Sequence, residues 1–349
     1  MTIVHIGFPS PSLADVDMAT WRRVAPLCEE AGFDTLWHSN ERFYREMWIR
    51  MAVSALGSER IGLGGAVVDP FAVHPAITAQ SLATVAELSG GRASLALGAG
   101  GSGFPMMGIR RERPAAALRE ALQVMRPLLA GETVTLEGET VTARAARLHF
   151  APPGPVPLWL ATRGDHTLRL AGELADGAIV ATYARPPEVR AALGLVEEGA
   201  RRAGRSLADV RTMVRVDTCI HEDEAAAAEA SRLMLAKLLW LSYPDRRFVE
   251  RAGLEVPQGV ERILAERDYD RIGEAAPLIP DDLVAAFTWT GAPEAVVERV
   301  TEVVRETAVD EVGLWLLRAG DQTLEEAVRV VAAEVLPAVA RHEAGGPGR

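Results

Sequence analysis

Eight short apolar runs, each followed by a longer stretch of helical pattern, constrain this chain more than any other feature. The runs are Ile3–Phe8, Asp34–His38, Ile61–Val67, Ala93–Gly98, Leu158–Ala161, Ala178–Thr182, Arg211–Ile220 and Glu311–Leu317. Continuous apolar strands suit a parallel sheet buried on both faces rather than a half-wet antiparallel one. Between them the pattern predicts helices over Thr20–Glu30, Ala76–Glu87, Pro114–Leu129, Pro293–Thr307 and Leu324–Ala340, several started by proline or stopped at glycine. Such alternation implies right-handed βαβ crossovers, and eight strands favour closure into an α/β (β/α)8 TIM barrel. A chain of 349 residues suits one barrel with insertions.

Two stretches interrupt the rhythm. Residues 132–150 alternate about a turn at Glu137-Gly138 and read as an inserted hairpin. Residues 240–285 are rich in charge, proline and aromatics without a clean period, and read as an excursion near the barrel mouth, in the manner of a lid. The expected organisation is a single domain over residues 1–341 and a disordered tail, His342–Arg349.

Charge and composition exclude several classes of function. A formal net charge of −11 gives nucleic acid or an anionic membrane no basic surface to meet. No apolar run has the length of a membrane span, and no leader pattern precedes the first strand, so the expected location is cytoplasmic. Lys237 is the only lysine, set in an apolar helical stretch, which argues against Schiff-base chemistry. Cys28 and Cys219 read as small core residues. The histidines lack ligand spacing, so no metal site is expected.

The run Gly98-Ala99-Gly100-Gly101-Ser102-Gly103 matches G-x-G-x-x-G after a strand. A dinucleotide-binding turn would open a helix at the third glycine, whereas Phe104-Pro105-Met106-Met107-Gly108 follows here. The better reading is a glycine-lined loop after a barrel strand, where a planar ring approaches the backbone.

The segment Ile61–Arg92 carries a strand, the turn Val67-Val68-Asp69-Pro70, the step His74-Pro75, an alanine-rich helix and the close Ser89-Gly90-Gly91-Arg92. In these features it resembles the luciferase-like monooxygenase superfamily, especially its branch of methylenetetrahydromethanopterin reductases and other enzymes that use the deazaflavin coenzyme F420. Glu29–Trp37, Leu158–Ile179, Trp289–Val297 and Asp310–Leu316 are similar to other parts of that family, and residues 240–285 are the least covered.

The resemblance implies a luciferase-like TIM barrel and hydride transfer between F420 and a small organic substrate. It also implies a non-prolyl cis peptide at Ala66–Val67, against the cofactor ring, where the residues alone read as an ordinary strand end. Ser39, Asn40, Ala66, Val67, Asp69, Gly98, Ala99 and Gly100 would then contact the cofactor. Thr162, Arg163, Gly164 and Asp165 would hold its phosphate, although the same stretch also reads as a plain helix start capped near Asp165 or Thr167. Glu41 and His38 are the catalytic candidates for handling the proton, against the alternative that Glu41 is a solvated loop charge. Arg45-Glu46 resembles an R-D pair of the reductase branch, and His74 reads as structural. Two departures stand out: Gly101 replaces an acid found in several deazaflavin-dependent relatives, and Val73 replaces an arginine before the His-Pro step. The alternatives are an FMN-dependent monooxygenase supplied with reduced flavin by a partner reductase, and a flavin-binding barrel without catalysis. The family also implies a homodimer.

Overall fold

The computed structural model describes residues 2–101, 103–307 and 309–344. Its strands are β1 (Ile3–Phe8), β2 (Thr35–Ser39), β3 (Gly62–Val68), β4 (Ala93–Leu97), β5 (Val134–Glu137), β6 (Thr142–Ala146), β7 (Leu158–Thr162), β8 (Gly177–Ala181), β9 (Arg211–Ile220), β10 (Thr288–Gly291) and β11 (Glu311–Leu316). The hydrogen-bonded order is β10-β9-β11-β1-β2-β3-β4-β7-β8, and β8 pairs again with β9. That order closes on itself through eight strands, with β10 as an extra parallel partner of β9, which is the topology of a (β/α)8 TIM barrel. The pairs β1–β2, β2–β3, β3–β4 and β4–β7 are parallel.

The chain divides into two compact units. One comprises His5–Ile179 and Gly194–Met213. It contains the helices α1 (Met18–Trp21), α2 (Val24–Glu30), α3 (Met47–Gly57), α4 (Pro75–Leu88), α5 (Pro114–Leu129) and α6 (Asp165–Leu174). The single helix expected over Thr20–Glu30 is two, and Pro26 explains the break. In a continuous helix its ring would face the carbonyl of Arg22 and offer it no N–H.

The core of this unit is built on tryptophans fitted to glycines. Trp37 and Trp159 meet edge to face at 6.0 Å. A Cβ on Gly64 would lie 2.3 Å from the Trp37 ring, and one on Gly177 would lie 2.2 Å from Trp159. Arg92, the last residue of the S-x-G-R close, donates to the carbonyls of Ala55, Ser58, Ile61 and Ser89 and to the Ser58 hydroxyl. The motif thus ties the end of α3 to the start of β3.

Strands β5 and β6 form a separate antiparallel hairpin. Glu120 of α5 accepts from the backbone N–H groups of Glu139, Thr140 and Val141 and from the Thr140 hydroxyl. His74 caps α4 by accepting from the N–H of Ala76 at Nδ1, and its Nε2 donates to the carbonyl of Thr142. The hairpin is therefore fastened to both neighbouring helices.

The other unit comprises the chain up to Val4, Val180–Leu193 and the residues from Val214 onward. Its core includes Phe287, in ring contact with both Tyr183 and Phe248, and Trp289, whose indole N–H donates to the carbonyl of Ala184 at 3.0 Å. Residues 240–285 contain short helices over Arg247–Arg251, Gln258–Ala265, Ile272–Ala275 and Asp281–Phe287. The terminal helix runs Leu324–Ala344, so the tail expected from His342 begins inside it, and residues 345–349 lie outside the described residues.

Candidate active site

Strands β2, β3, β4 and β7 are consecutive in the sheet, so the loops at their C-terminal ends are neighbours within one unit. All the site residues expected from the sequence fall on these four strand ends. Ligands of parallel barrels bind at this face.

The centre is the end of β3. The Ala66–Val67 peptide is cis, at the bond the resemblance implied. Ala66 pairs with Ala96 and Val68 with Leu97, so Val67 is passed over as a bulge. Asn40 grips this bulge twice. Its backbone N–H donates to the carbonyl of Ala66 at 2.9 Å, and its side-chain amide donates to that of Val67 at 3.1 Å.

Asp69 follows, buried at 4 % exposure. One carboxylate oxygen accepts from the N–H groups of Phe71 at 3.0 Å and Ala72 at 2.8 Å, forming the turn, and the other accepts from Arg42. The glycine loop after β4 packs on this turn. A Cβ on Gly98 would stand 3.0 Å from Val67, and one on Gly100 would stand 2.7 Å from Phe104 and 3.0 Å from Asp69. Gly100 also has φ +62, a conformation that side chains disfavour. No helix opens at Gly103; a short turn, Pro105–Met107, follows, and α5 starts only at Pro114. Arg111 donates to the carbonyl of Gly100 at 3.0 Å, beside Gly101.

At the end of β7 the Thr162 hydroxyl accepts from the N–H of Gly164. Gly164, not Asp165 or Thr167, is the N-cap of α6, and no side chain caps that end. The first-turn N–H groups of a helix have no partners within it, and the positive end of the helix dipole lies there. With Arg163 alongside, this donor set suits a phosphate, and Asp165 in the first turn is the one opposing charge. A planar ring cofactor with a phosphate tail fits the residues present: glycines at the ring end, a helix start without a side-chain cap at the other.

Two candidates on β2 are committed elsewhere. The Ser39 hydroxyl donates to the carbonyl of Phe8 at 2.5 Å, and its own carbonyl accepts from Arg50. His38, expected as a catalytic group, is fully buried. Its Nδ1 lies 3.0 Å from the carbonyl of Gly64 and its Nε2 2.9 Å from the Ser54 hydroxyl. A carbonyl only accepts, so Nδ1 carries the proton and Nε2 accepts from Ser54. Burial first, then the nearby Arg50 charge, pushes the imidazole pKa down to about 3. This corrects the expectation from sequence: a neutral ring with both nitrogens engaged and no solvent contact is a packing residue, not a proton carrier. Glu41 is half-buried on the loop after β2, whose Arg42 and Phe43 lie against Gly103.

Sequence reasoning missed Arg42 and Arg50, because neither partner is local: Asp69 lies 27 positions from Arg42, and Ser39 lies 11 from Arg50. The Arg45-Glu46 pair has structural duties. Glu46 caps α3 by accepting from the N–H of Ile49, and Arg45 donates to the carbonyls of Leu13 and Ala14. Among the described residues no cluster of metal-ligating side chains occurs, and no helix is long and apolar enough to cross a membrane.

Known proteins resemble this chain along most of its length. It is 29% identical over 321 residues to 5,10-methylenetetrahydromethanopterin reductase of Archaeoglobus fulgidus, covering 89% of this chain and 93% of that one. It is 33% identical over 256 residues to the F420-dependent glucose-6-phosphate dehydrogenase of Beutenbergia cavernae, covering 68% and 73%. The solved structure of the coenzyme F420-dependent tetrahydromethanopterin reductase from Methanopyrus kandleri superposes with a TM-score of 0.82 at 27% identity, over 96% of this chain and 99% of that one. The family model described as luciferase-like monooxygenase matches residues 3–311. With that match and the strand order above, the chain belongs to the luciferase-like monooxygenase family.

Proposed function

We propose that the protein is an F420-dependent oxidoreductase that moves a hydride between the deazaflavin and a small organic substrate. The observation that carries this reading is the double grip of Asn40 on the bulge at Ala66–Val67, facing a loop that only glycine at position 100 allows. The similarity to F420-dependent reductases and dehydrogenases supports it.

When bound, the cofactor supplies the hydride chemistry; the protein supplies position, exclusion of water and a proton. In this reading Ala66 and Val67 would back one face of the ring, with Asn40 holding the bulge, and Ser39, Asp69, Gly98, Ala99 and Gly100 would border the cofactor. Thr162, Arg163, Gly164 and Asp165 form the phosphate end. Glu41 exchanges the proton that accompanies the hydride, being the carboxylate on the β2 loop that is not spent on capping α3 as Glu46 is, while Gly101 offers no side chain to do so.

We further propose a cytoplasmic homodimer. Cys28 and Cys219 are buried and unpaired, as a reducing compartment permits. Ile49 and Leu56 of α3 and Ile77 and Leu88 of α4 are exposed apolar side chains that a second copy would cover. A separate F420 reductase is the electron source in this scheme.

The test is a fluorescence titration of purified protein with F420 and FMN, each oxidised and reduced. Selective binding of F420 is expected. Selective binding of reduced FMN would move the protein to the monooxygenase reading, and binding of neither would leave the barrel without a cofactor.

A further inference from the structure

Beside the end of β1, a recess of about 230 Å3, including the solvent at its mouth, is lined by Ser10, Leu13, Val16, Trp21, Tyr44, Arg45 and Arg50. Among the described residues no carboxylate lines it. Its innermost space suits one particle of about the size of water. We propose that this recess binds a small monovalent anion, either a free halide or the carboxylate end of an organic ligand.

Two buried polar groups at the recess have unmet capacity. Ser10 is 1 % exposed, and its hydroxyl oxygen, closed off from solvent, has no hydrogen-bond partner. Arg50 is 3 % exposed. One of its amino groups donates to the carbonyl of Ser39 and its guanidinium stacks on Trp21 at 5.1 Å, yet its Nε, also closed off from solvent, has no partner. Neither contact brings a negative charge, and Arg50 forms no salt bridge among the described residues.

A buried guanidinium without a counter-ion is costly, since a charge removed from water needs an opposite charge or a full set of hydrogen bonds. The nearby charges are too weakly placed to meet this need. Glu46 attracts Arg50 but caps α3, and the Arg45 guanidinium repels it. Burial outweighs both and brings the Arg50 pKa down to about 10, so the group still holds its proton at neutral pH. An anion in the recess would be offered the Nε–H of Arg50 and the hydroxyl of Ser10 together, with Arg45 adding charge at the rim. The assignment does not depend on F420 binding.

The full chain would be melted thermally in increasing sodium bromide, and separately in sodium acetate, with ionic strength held by sodium methanesulfonate. A saturating rise in Tm is expected with at least one of the two. Bromide alone would assign a free halide, acetate alone a carboxylate, and mutual competition one site that takes either. S10A should weaken the response about tenfold, the loss of one hydrogen bond to a charged group. R50M should abolish it, and R50K, which keeps the charge but not the Nε–H, guards against a variant that fails to fold. No saturating rise with either salt, or an S10A response equal to wild type, would overturn the proposal.

Discussion

Arg42 on the loop after β2 donates to the buried carboxylate of Asp69 on the turn after β3, latching two loops that border the cofactor site. The Asp69 side chain is 2% exposed and that of Arg42 18%, so the pair is only partly screened. D69A removes the ion pair and the acceptor for two backbone N–H groups. It is expected to cost about 3 kcal/mol in urea unfolding and to weaken F420 binding. D69N keeps one acceptor oxygen and is expected to cost less.

Gly100 and Gly164 make opposite predictions for the same substitution. G100A places a Cβ against Phe104 and Asp69 in a left-handed conformation, and should cost about 1–3 kcal/mol while reducing F420 affinity. G164A meets only the Thr162 hydroxyl, at 3.6 Å, in an unstrained backbone, and should cost at most about 1 kcal/mol because alanine caps a helix less well than glycine. Parallel melts and fluorescence titrations of the two variants check the contrast.

His38 predicts a pH dependence of stability rather than of rate. Its folded pKa of about 3 lies below the value near 6.5 of an unfolded histidine, so the unfolded chain binds the extra proton between them. Its contribution is complete above about pH 6.5 and falls by about 1.4 kcal/mol per unit as pH drops toward 3. Urea midpoints of wild type and H38N, compared across that window, should converge as pH falls. The rate profile should show no ionisation belonging to His38.

Glu120 predicts the fate of the hairpin. Burial raises its pKa, but the hydrogen bonds from Thr140, Glu139 and Val141 outweigh this and leave it lowered. Its contribution is therefore present above the unfolded carboxylate range and lost as pH falls through the folded value. E120A leaves the turn's N–H groups without their acceptor and should cost about 1–3 kcal/mol. Hydrogen exchange at Glu139–Val141 should accelerate.

E41Q separates binding from chemistry. With Glu41 as the proton group, turnover should fall about 10²–10⁴-fold while F420 affinity stays within about twofold. Unchanged turnover would remove Glu41 from the mechanism.

The eight barrel strands were legible because each is buried on both faces and so reads as an apolar run. Thr288–Gly291 was not, since four residues ending in glycine carry no pattern. Residues 240–285 looked irregular because their helices, such as Arg247–Arg251 and Ile272–Ala275, are too short to develop a stripe. At the site, the glycine loop could be read from the run of glycines after a strand, whereas the bond at Ala66–Val67 was implied only by the family resemblance. Side-chain commitments could not be read. Nothing near His38 in sequence announces that Gly64 and Ser54 will occupy its two nitrogens.

The fit of Trp37 over Gly64, and of Trp159 against Gly177, bears on how this barrel can drift in sequence. Each indole fills the volume that a Cβ on its glycine would need. Neither partner can change alone: alanine at 64 evicts the indole, and a smaller residue at 37 opens a void beside a bare backbone. Substitutions at 37 and 64 should therefore arise together among descendants, and the same holds for 159 and 177. Two reciprocal locks of this kind make the barrel wall its slowest-changing part and leave the loops above it free to diversify.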